Sequence, residues 1–504
     1  MSRKNLKTPT WAKEFFEPKA PTTKAVNVRA QYDAGGTGRR MKGWTPPTSG
    51  PNRAIQNVQK IRDRARDVTR NDWAGASGLQ HWTTNLIGVG IVPRVKRITD
   101  KAKKQASIAR WDKWCKTVDA DCVLNFYGMQ TLATRAWLES GEVFARLRYR
   151  RQGAGLDVPL QVQLIESDFV PMFDADSWPG MSPGNRIRSG IEFNSIGKRI
   201  AYWIYREHPT DFFSNNVDMS KLVRVPADQM LHVFEPERAG QIRGVPDFAP
   251  ILARLRSVAD FDDAVLERQK LANLFMAFLK KPMPNGLADG VDPMTGLPID
   301  MGLDGLPMAS LMPGIVQELL PGESMEFANP PEAGTTYAEY MRTQHLGTAA
   351  GQGLPYELAT GDIQNVSDRT LRVIIQEFRR YAEQRQWQII IPMFCQPIRE
   401  AYVKQAVLVG EIALADAEDE INVEWSPQGW QYIHPVQDVQ AKQAEVEAGF
   451  RSRSSVIAER GDDPELVDEE RALDDKRAKE FGLSNGTIPP PANQTQPNQQ
   501  PQQN

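Results

Sequence analysis

Five histidines are the residues in this sequence best suited to acid–base or metal chemistry, and they are widely separated. They are His81, His208, His232, His345 and His434. Neither H-E-x-x-H nor H-x-H occurs, so a metal site would have to be assembled by the fold from distant segments. The three cysteines are Cys115, Cys122 and Cys395. Their odd number and the lack of C-x-x-C spacing disfavour a disulfide scaffold and a zinc site, and fit a reducing cytoplasm.

Two other stretches carry residue types that could hold phosphate or calcium. Residues 34–40 read AGGTGRR, but they lack the Gly-Lys-Ser/Thr ending and the following helix that would supply backbone N–H groups. Residues 282–314 contain twelve Gly or Pro in 33 positions, and their aspartates do not match the D-x-[DN]-x-[DN]-G calcium loop. These aspartates are Asp289, Asp292, Asp300 and Asp304. We interpret the first stretch as a basic flexible arm and the second as a solvated acidic loop.

Aromatic pairs and arginines could contact nucleic acid. Two aromatic pairs at i, i+3 spacing could stack on bases, although such pairs more often pack a helix or contact another subunit. Four arginines between residues 62 and 70 could bind phosphate, although this spacing more often gives a solvated or salt-bridged surface. The residues are Trp111 with Trp114, Tyr337 with Tyr340, and Arg62, Arg64, Arg66 and Arg70. We favour the packing and surface interpretations.

Charge is unevenly distributed along the 504 residues of the chain. The net charge is −2, but residues 1–110 contain 23 Lys/Arg against 7 Asp/Glu, and residues 411–475 contain 5 against 18. This asymmetry predicts that the two ends face different partners. A tight non-specific DNA binder is basic overall, because phosphate neutralisation supplies most of its affinity. We therefore expect any contact with DNA to be weak.

Length and hydrophobic patterns predict several packed units of mixed helix and strand. Apolar residues at helical spacing predict helices at 55–68, 108–116, 246–280, 337–350, 367–391 and 436–448. Alternating apolar residues predict strands at 143–149, 161–165, 200–205 and 230–234. There is no βαβ alternation, so the predicted fold class is α+β rather than a Rossmann fold or a barrel. No apolar run reaches about 18 residues, so we expect no membrane span.

An ordered set of short motifs extends over most of the chain. The set comprises YDA at 32–34, GRR at 38–40, GW at 43–44, RDRARD at 62–67, RN at 70–71, NLIGVGI at 85–91, GEV at 141–143, QLIE at 163–166, HVFEPERAGQ at 232–241, RGVP at 243–246, GLPYE at 353–357, TGD at 360–362 and SDR at 367–369. Over about residues 30–465, this set resembles the lambda family of phage portal proteins. The sequence departs from the family pattern at 363–367, IQNVS, where a tyrosine beside the serine is expected.

The resemblance implies a portal fold that assembles as a closed ring, usually of twelve subunits, at one vertex of the capsid. Such a subunit has an α/β wing, a helical stem, a small clip and a helical crown. The expected regions are a flexible N-terminal arm at 1–51, the wing at 52–245, a stem helix at 246–280, the clip region at 281–336, a second stem helix at 337–353, the tunnel loop at 354–367, a long helix returning to the wing at 368–434, the crown and C-terminal helices at 435–483, and a disordered tail at 484–504.

The resemblance also implies a non-enzymatic function, with no cofactor and no metal, in which double-stranded DNA enters and leaves the capsid through the ring. The expected location is the virion, and the host cytoplasm during assembly. Expected partners are further copies of the chain, double-stranded DNA, the terminase large subunit, the major capsid and scaffold proteins, and head-completion or adaptor proteins. The candidate channel residues are Lys280, Lys281, Gln364, Asn365 and Arg369. The candidate docking residues of the clip are Asp289, Asp292, Asp300 and Asp304.

Two alternatives fit the sequence less well. A metal-dependent nucleic-acid enzyme would need clustered carboxylates, and no carboxylates cluster at usable spacing in the sequence. A different head–tail connector or adaptor without a DNA-lined channel would generally be much shorter than 504 residues. Particle images would separate a ring with a channel from such an adaptor.

Overall fold

Helices and short strands make up the computed structural model, which describes residues 49–210, 219–274, 278–280, 324–326, 337–364, 366–430, 435–460, 462 and 464–482. Its helices are α1 Pro51–Ala54, α2 Val58–Asn71, α3 Trp73–Ile87, α4 Lys101–Cys115, α5 Phe126–Ser140, α6 Leu252–Leu274, α7 Tyr337–Gln352, α8 Tyr356–Thr360, α9 Asp368–Arg385, α10 Gln396–Leu408, α11 Ala417–Ile421, α12 Pro435–Glu447, α13 Arg453–Glu459 and α14 Pro464–Phe481. A π-helical segment, Gln386–Cys395, joins α9 to α10. Of the described helices, none is long and apolar enough to cross a membrane.

The strands form small antiparallel sheets. They are β1 Val92–Arg94, β2 Glu142–Tyr149, β3 Leu160–Ile165, β4 Arg186–Arg188, β5 Ile191–Phe193, β6 Arg199–Ile204, β7 Val223–Pro226, β8 Met230–Phe234, β9 Phe278–Lys280, β10 Ser324–Glu326 and β11 Glu424–Ser426. One sheet has the order β3-β2-β8 and another the order β4-β5-β6-β7, while β1 pairs with β11 and β9 with β10. The five ladders of the two larger sheets are antiparallel. The predicted mixture of helix and sheet is confirmed.

Two hydrophobic cores lie on opposite faces of strand β2. Because side chains alternate along a strand, Val143, Ala145 and Leu147 enter a large helical core, and Phe144 enters a smaller core shared with the four-stranded sheet. The aromatic pair of α4 lies in the large core, where Trp111 and Trp114 contact Phe126 and Tyr402. The packing interpretation of these two tryptophans is confirmed, since both are buried.

Helices α6 and α7 form an antiparallel pair. Arg254 of α6 donates a hydrogen bond to Gln344 of α7 over 2.7 Å, and farther along the pair the ring of Phe261 lies 5.1 Å from that of Tyr340. The prediction of one helix from 246 to 280 is wrong at both ends. Helix α6 covers only Leu252–Leu274, and Phe278–Lys280 pairs as a strand with Ser324–Glu326. The helical spacing of apolar residues within one segment cannot reveal a strand partner more than forty residues away.

The acidic C-terminal part pairs with basic residues of the N-terminal part. Lys101 of α4 lies 2.6 Å from Glu469 of α14, and neighbouring lysines make similar pairs. These pairs are Lys103–Asp416 at 3.0 Å and Lys104–Glu465 at 2.6 Å. Our prediction that the two charged ends face different partners is wrong for these residues, because β1–β11 pairing and tertiary packing bring them together. The basic residues 1–48 lie outside the described residues.

Candidate functional site

A fully buried carboxylate, Glu142, is the centre of the most extensive polar network around the start of β2. Its Oε1 accepts hydrogen bonds from Arg62 Nη2 at 2.5 Å and from Arg243 Nε at 2.7 Å. Its Oε2 accepts from the Gly244 backbone N–H at 2.9 Å and lies 2.9 Å from His232 Nε2. The network therefore joins α2, β2, β8 and the segment that leads into α6.

The network fixes the protonation states of its members. Burial opposes ionisation of Glu142, but Arg243 and Arg62 outweigh it and hold the pKa of Glu142 well below its usual range. Burial lowers the pKa of His232 to about 4, against the opposing effect of Glu142. Neutral His232 fits its contacts, because a proton on Nε2 is donated to Glu142 while Nδ1 accepts from Arg199 at 3.1 Å.

The position of Arg62 corrects the predicted arginine surface on α2. Arg62 is fully buried, and Arg66 pairs with Asp168. Only Arg64 and Arg70 of the four lie exposed. On a helix, Arg62 shares a face with Val58 and Ala65, and a charged residue on that face requires a buried partner. That partner, Glu142, lies 80 residues away, so the sequence around Arg62 carries no sign of it.

Two glycines allow the backbone close approach beside Glu142. A Cβ on Gly244 would lie 1.9 Å from the carbonyl oxygen of Gly141. Gly141 itself caps α5 in the left-handed conformation, with φ +84°, and a Cβ there would lie 2.3 Å from the carbonyl carbon of Val245. Since neither position has space for a side chain, the GEV and RGVP motifs meet at a backbone contact that only glycine permits.

Residues 353–362 form a tightly held turn between α7 and α9. The indole of Trp82 donates to the carbonyl of Gln352 at 2.9 Å, and Ser77 Oγ donates to the carbonyl of Ala359 at 2.8 Å. Both hydrogen-bond donors lie on α3. Helix α8 ends at Gly361 in the left-handed conformation, with φ +72°. The predicted tunnel loop at 354–367 therefore includes a short helix that is fixed to the body of the protein.

The side chain of Asp362 stabilises the exposed side of this turn. Its carboxylate accepts from Tyr356 Oη at 3.2 Å and from the backbone N–H of Gln364 at 3.0 Å. The same carboxylate forms an ion pair with Arg342 Nε at 3.3 Å, and the Arg342 guanidinium lies over the Tyr356 ring. The TGD and GLPYE motifs thus provide the contacts that orient the following residues.

The residues directly after Asp362 are exposed. Ile363 is 68% exposed, and the side chain of Gln364 is also exposed. Ser367 then caps α9, because its Oγ accepts from the Thr370 backbone N–H at 3.2 Å. Arg369, in the first turn of α9, is exposed, and no ion pair to it is found among the described residues.

Arg385 anchors the far end of α9. Its guanidinium donates to Asp247 at 2.6 Å and lies 3.0 Å from Glu235. It also lies over aromatic rings, at 4.7 Å from the ring centre of Trp82 and 5.5 Å from that of Trp137. The end of α9 is therefore tied to the residues that precede α6. Sequence reasoning missed this role, because Arg385 lies outside the motifs and its partners are distant in sequence.

Two of the nine candidate residues have described side chains. Gln364 and Arg369 lie on either side of the α9 N-terminus, and both are exposed. Lys280 ends strand β9. The remaining candidates lie outside the described residues, and they are Lys281, Asn365, Asp289, Asp292, Asp300 and Asp304.

Among the residues that the structure describes, one group of side chains has the residue types of a metal site. Carboxylate and imidazole atoms of Glu166, Asp168 and His208 lie within 4.8 Å of one another. Arg66 occupies the same place, in contact with Asp168 and 3.4 Å from Glu166. Burial raises the pKa of Asp168, but Arg66 and Gln59 outweigh burial and hold that pKa below its ordinary value. One guanidinium thus already pairs with both carboxylates, and we assign the group to the attachment of α2.

Known proteins are similar to this chain over most of their length. The sequence is 25% identical over 488 residues to a protein of Halomonas phage phiHAP-1 named "Probable portal protein", covering 93% of this chain and 90% of that protein. It is 20% identical over 533 residues to "Portal protein B" of Escherichia phage lambda, covering 95% of each. A chain in the neck of a native gene transfer agent particle, computed with C12 symmetry, aligns at 12% identity and a TM-score of 0.43, covering 84% of this chain and 97% of that chain.

The family comparison covers both the buried network and the turn before α9. The model of the family described as "Phage portal protein, lambda family" matches residues 37–386. This range includes Glu142, Arg243, Asp362 and Arg385, which join α2, β2, α9 and the segment before α6. The chain belongs to the lambda family of phage portal proteins.

Proposed function

We propose that this chain is a non-enzymatic subunit of the ring through which double-stranded DNA is packaged into a phage capsid and ejected from it. Family membership supports this function, and so do the portal names of the phage relatives. The observation that carries the proposal is the exposed apolar surface of α6. Leu252 and Leu255 in its first turn are buried, at 9% and 2% exposed, but Phe261 is 40% and Leu266 51% exposed.

Neighbouring copies of the chain would cover this surface. Helix α6 has 23 residues and so extends about 35 Å. A helix of this length with apolar residues in solvent is stabilised when another surface buries them. In the proposed ring, α6 and α7 are the stem helices, residues 52–245 form the wing, residues 281–336 the clip, and residues 435–483 the crown.

The turn before α9 would face the DNA. Gln364 and Arg369 are exposed there, while Asp362 and Ser367 hold the backbone on both sides. A few polar or positive groups per subunit suit a channel, because each neutralised phosphate adds salt-dependent affinity and strong binding would stall the DNA. Lys280, Lys281 and Asn365 are further candidates for this contact.

Other partners follow from the same proposal. The terminase large subunit would dock at the clip and hydrolyse the ATP that drives packaging, and Asp289, Asp292, Asp300 and Asp304 are the candidate docking residues. Head-completion or adaptor proteins would bind later, and the major capsid and scaffold proteins would surround the wing during assembly.

Arg369→Glu tests the channel assignment. We expect rings to form normally and the amount of DNA in the heads to fall, because twelve or so added carboxylates would repel phosphate at the narrowest part of the channel. DNA content is measured in purified heads, and rings are counted by electron microscopy. Arg151→Glu is the matched control, since Arg151 is an exposed arginine in the loop after β2. Normal DNA-filled heads with Arg369→Glu would overturn the channel assignment.

A further inference from the structure

A cavity of about 870 Å³ opens between the first helical residues and the four-stranded sheet. Arg53, Arg186 and Arg188 contribute its positive side chains, and Asp174 contributes its carboxylate. The apolar part of the lining comes from Met172, Phe193 and Ile242. The cavity is separate from the turn before α9 and shares no lining residue with it.

Positive charge in this cavity exceeds what the surrounding residues neutralise. Arg188 pairs with Asp176 at 2.6 Å, and Asp174 accepts a hydrogen bond from the Ser189 backbone N–H at 2.7 Å. Arg53 and Arg186 are exposed, and among the described residues neither makes an ion pair. Two guanidinium groups therefore remain available for an anionic ligand.

The wall of the cavity is held in place before any ligand binds. Asn52 donates to the carbonyl of Gly240 at 3.0 Å and accepts from the Ile242 N–H at 2.9 Å. The next residue, Arg243, is fixed by its ion pair with Glu142 and donates to the carbonyl of Ser189 at 2.7 Å. A rigid wall lowers the entropic cost of binding.

We propose that this cavity binds an acidic peptide segment of a partner protein. Guanidinium groups bind carboxylates in a bidentate manner, and Arg53 and Arg186 supply two of them at one opening. The apolar lining favours a ligand that also carries apolar side chains, because these gain free energy by leaving water. Duplex DNA, a rigid rod with its phosphates on the outside, does not fit into a cavity of this size. Asp174 adds an acceptor for a peptide N–H.

Fluorescence anisotropy with a labelled peptide of alternating Glu and Leu tests this proposal on the full-length chain. We expect saturable binding that weakens with added salt, because salt screens exposed charges. The double variant Arg53→Ala with Arg186→Ala is expected to bind about 25-fold more weakly, about fivefold for each exposed pair. Arg151→Ala is the matched control and should bind as the wild type does.

Three results would overturn the proposal. The first is no saturable binding of the acidic peptide to the wild type, and the second is equal binding by the double variant. The third is tighter binding of a single-stranded oligonucleotide than of the peptide, with the same weakening when both arginines are replaced. That result would make the ligand a nucleic acid. Thermal unfolding of each variant checks its folding, and Arg186→Glu alone provides a second variant at an exposed position.

Discussion

Arg243 and Glu142 form an ion pair of 2.5 Å in which neither side chain is exposed to solvent. Strand β2 begins at Glu142, and Arg243 lies in the segment that leads to α6, 101 residues later along the chain. Strand β2 and the segment that leads to α6 are thereby joined through one carboxylate. Removing one partner of a buried pair leaves the other charge buried and uncompensated, which is strongly destabilising.

We expect Glu142→Gln to destabilise the fold by about 3–5 kcal/mol. Glutamine keeps the shape of the side chain but leaves Arg62 and Arg243 without their shared counter-charge. The measurement is the free energy of unfolding in urea. Glu418→Gln is the control, because Glu418 is an exposed partner of Arg97 at 3.7 Å and such pairs contribute at most about 1 kcal/mol. Equal stability of Glu142→Gln and the wild type would contradict the role of the network.

Gly141→Ala is expected to destabilise the protein far more than Gly153→Ala. Both glycines have positive φ, +84° and +91°, but a Cβ at Gly153 would meet no atom within 4 Å. The Gly153 variant therefore measures the conformational cost alone, about 1 kcal/mol. The Gly141 variant adds an overlap with Val245. Comparing the thermal midpoints of the two variants separates the effects, and equal midpoints would show that the backbone contact is unimportant.

Acidification between pH 7 and pH 5 is expected to destabilise the wild type through His232. The folded state holds the pKa of His232 at about 4, while an unfolded histidine has a pKa of about 6.5. The contribution of neutral His232 to the free energy of unfolding is therefore fully present above about pH 6.5. It is lost as the pH falls toward 4, because the unfolded state binds the proton first. The loss at pH 5 is about 2 kcal/mol.

The variant His232→Gln isolates this histidine from the other titrating groups. We expect its free energy of unfolding to depend less steeply on pH than that of the wild type between pH 7 and pH 5, since it lacks the side chain that the unfolded state protonates. Urea unfolding at three pH values provides the comparison. Parallel pH profiles for the variant and the wild type would contradict the neutral, buried state of His232.

Local sequence patterns predicted several elements closely. The alternation at 230–234 gave strand β8 with its observed bounds, Met230–Phe234. The apolar spacing from Tyr337 predicted α7, and the helix predicted from residue 367 begins at Asp368 as α9. Side chains of helices and strands repeat their direction every 3.6 or 2 residues, and this repeat leaves a periodic pattern in the sequence.

Features that leave no periodic pattern in the sequence could not be predicted in this way. Strand β9 exists because residues 324–326 pair with it, and Arg62 is buried because Glu142 lies opposite it. The motif set contained Arg62, Glu142 and Arg243, but only the fold shows that they meet at one carboxylate. The placement of Gln364 and Arg369 at a DNA channel stays a prediction.

Electron microscopy of the purified chain in negative stain shows whether the chain assembles into a portal ring. We expect closed rings with a central hole wide enough for duplex DNA, formed by the chain alone or together with its capsid and scaffold proteins. The number of subunits can be counted in the same images. If no rings form even with both proteins present, the proposed portal function of this chain is contradicted.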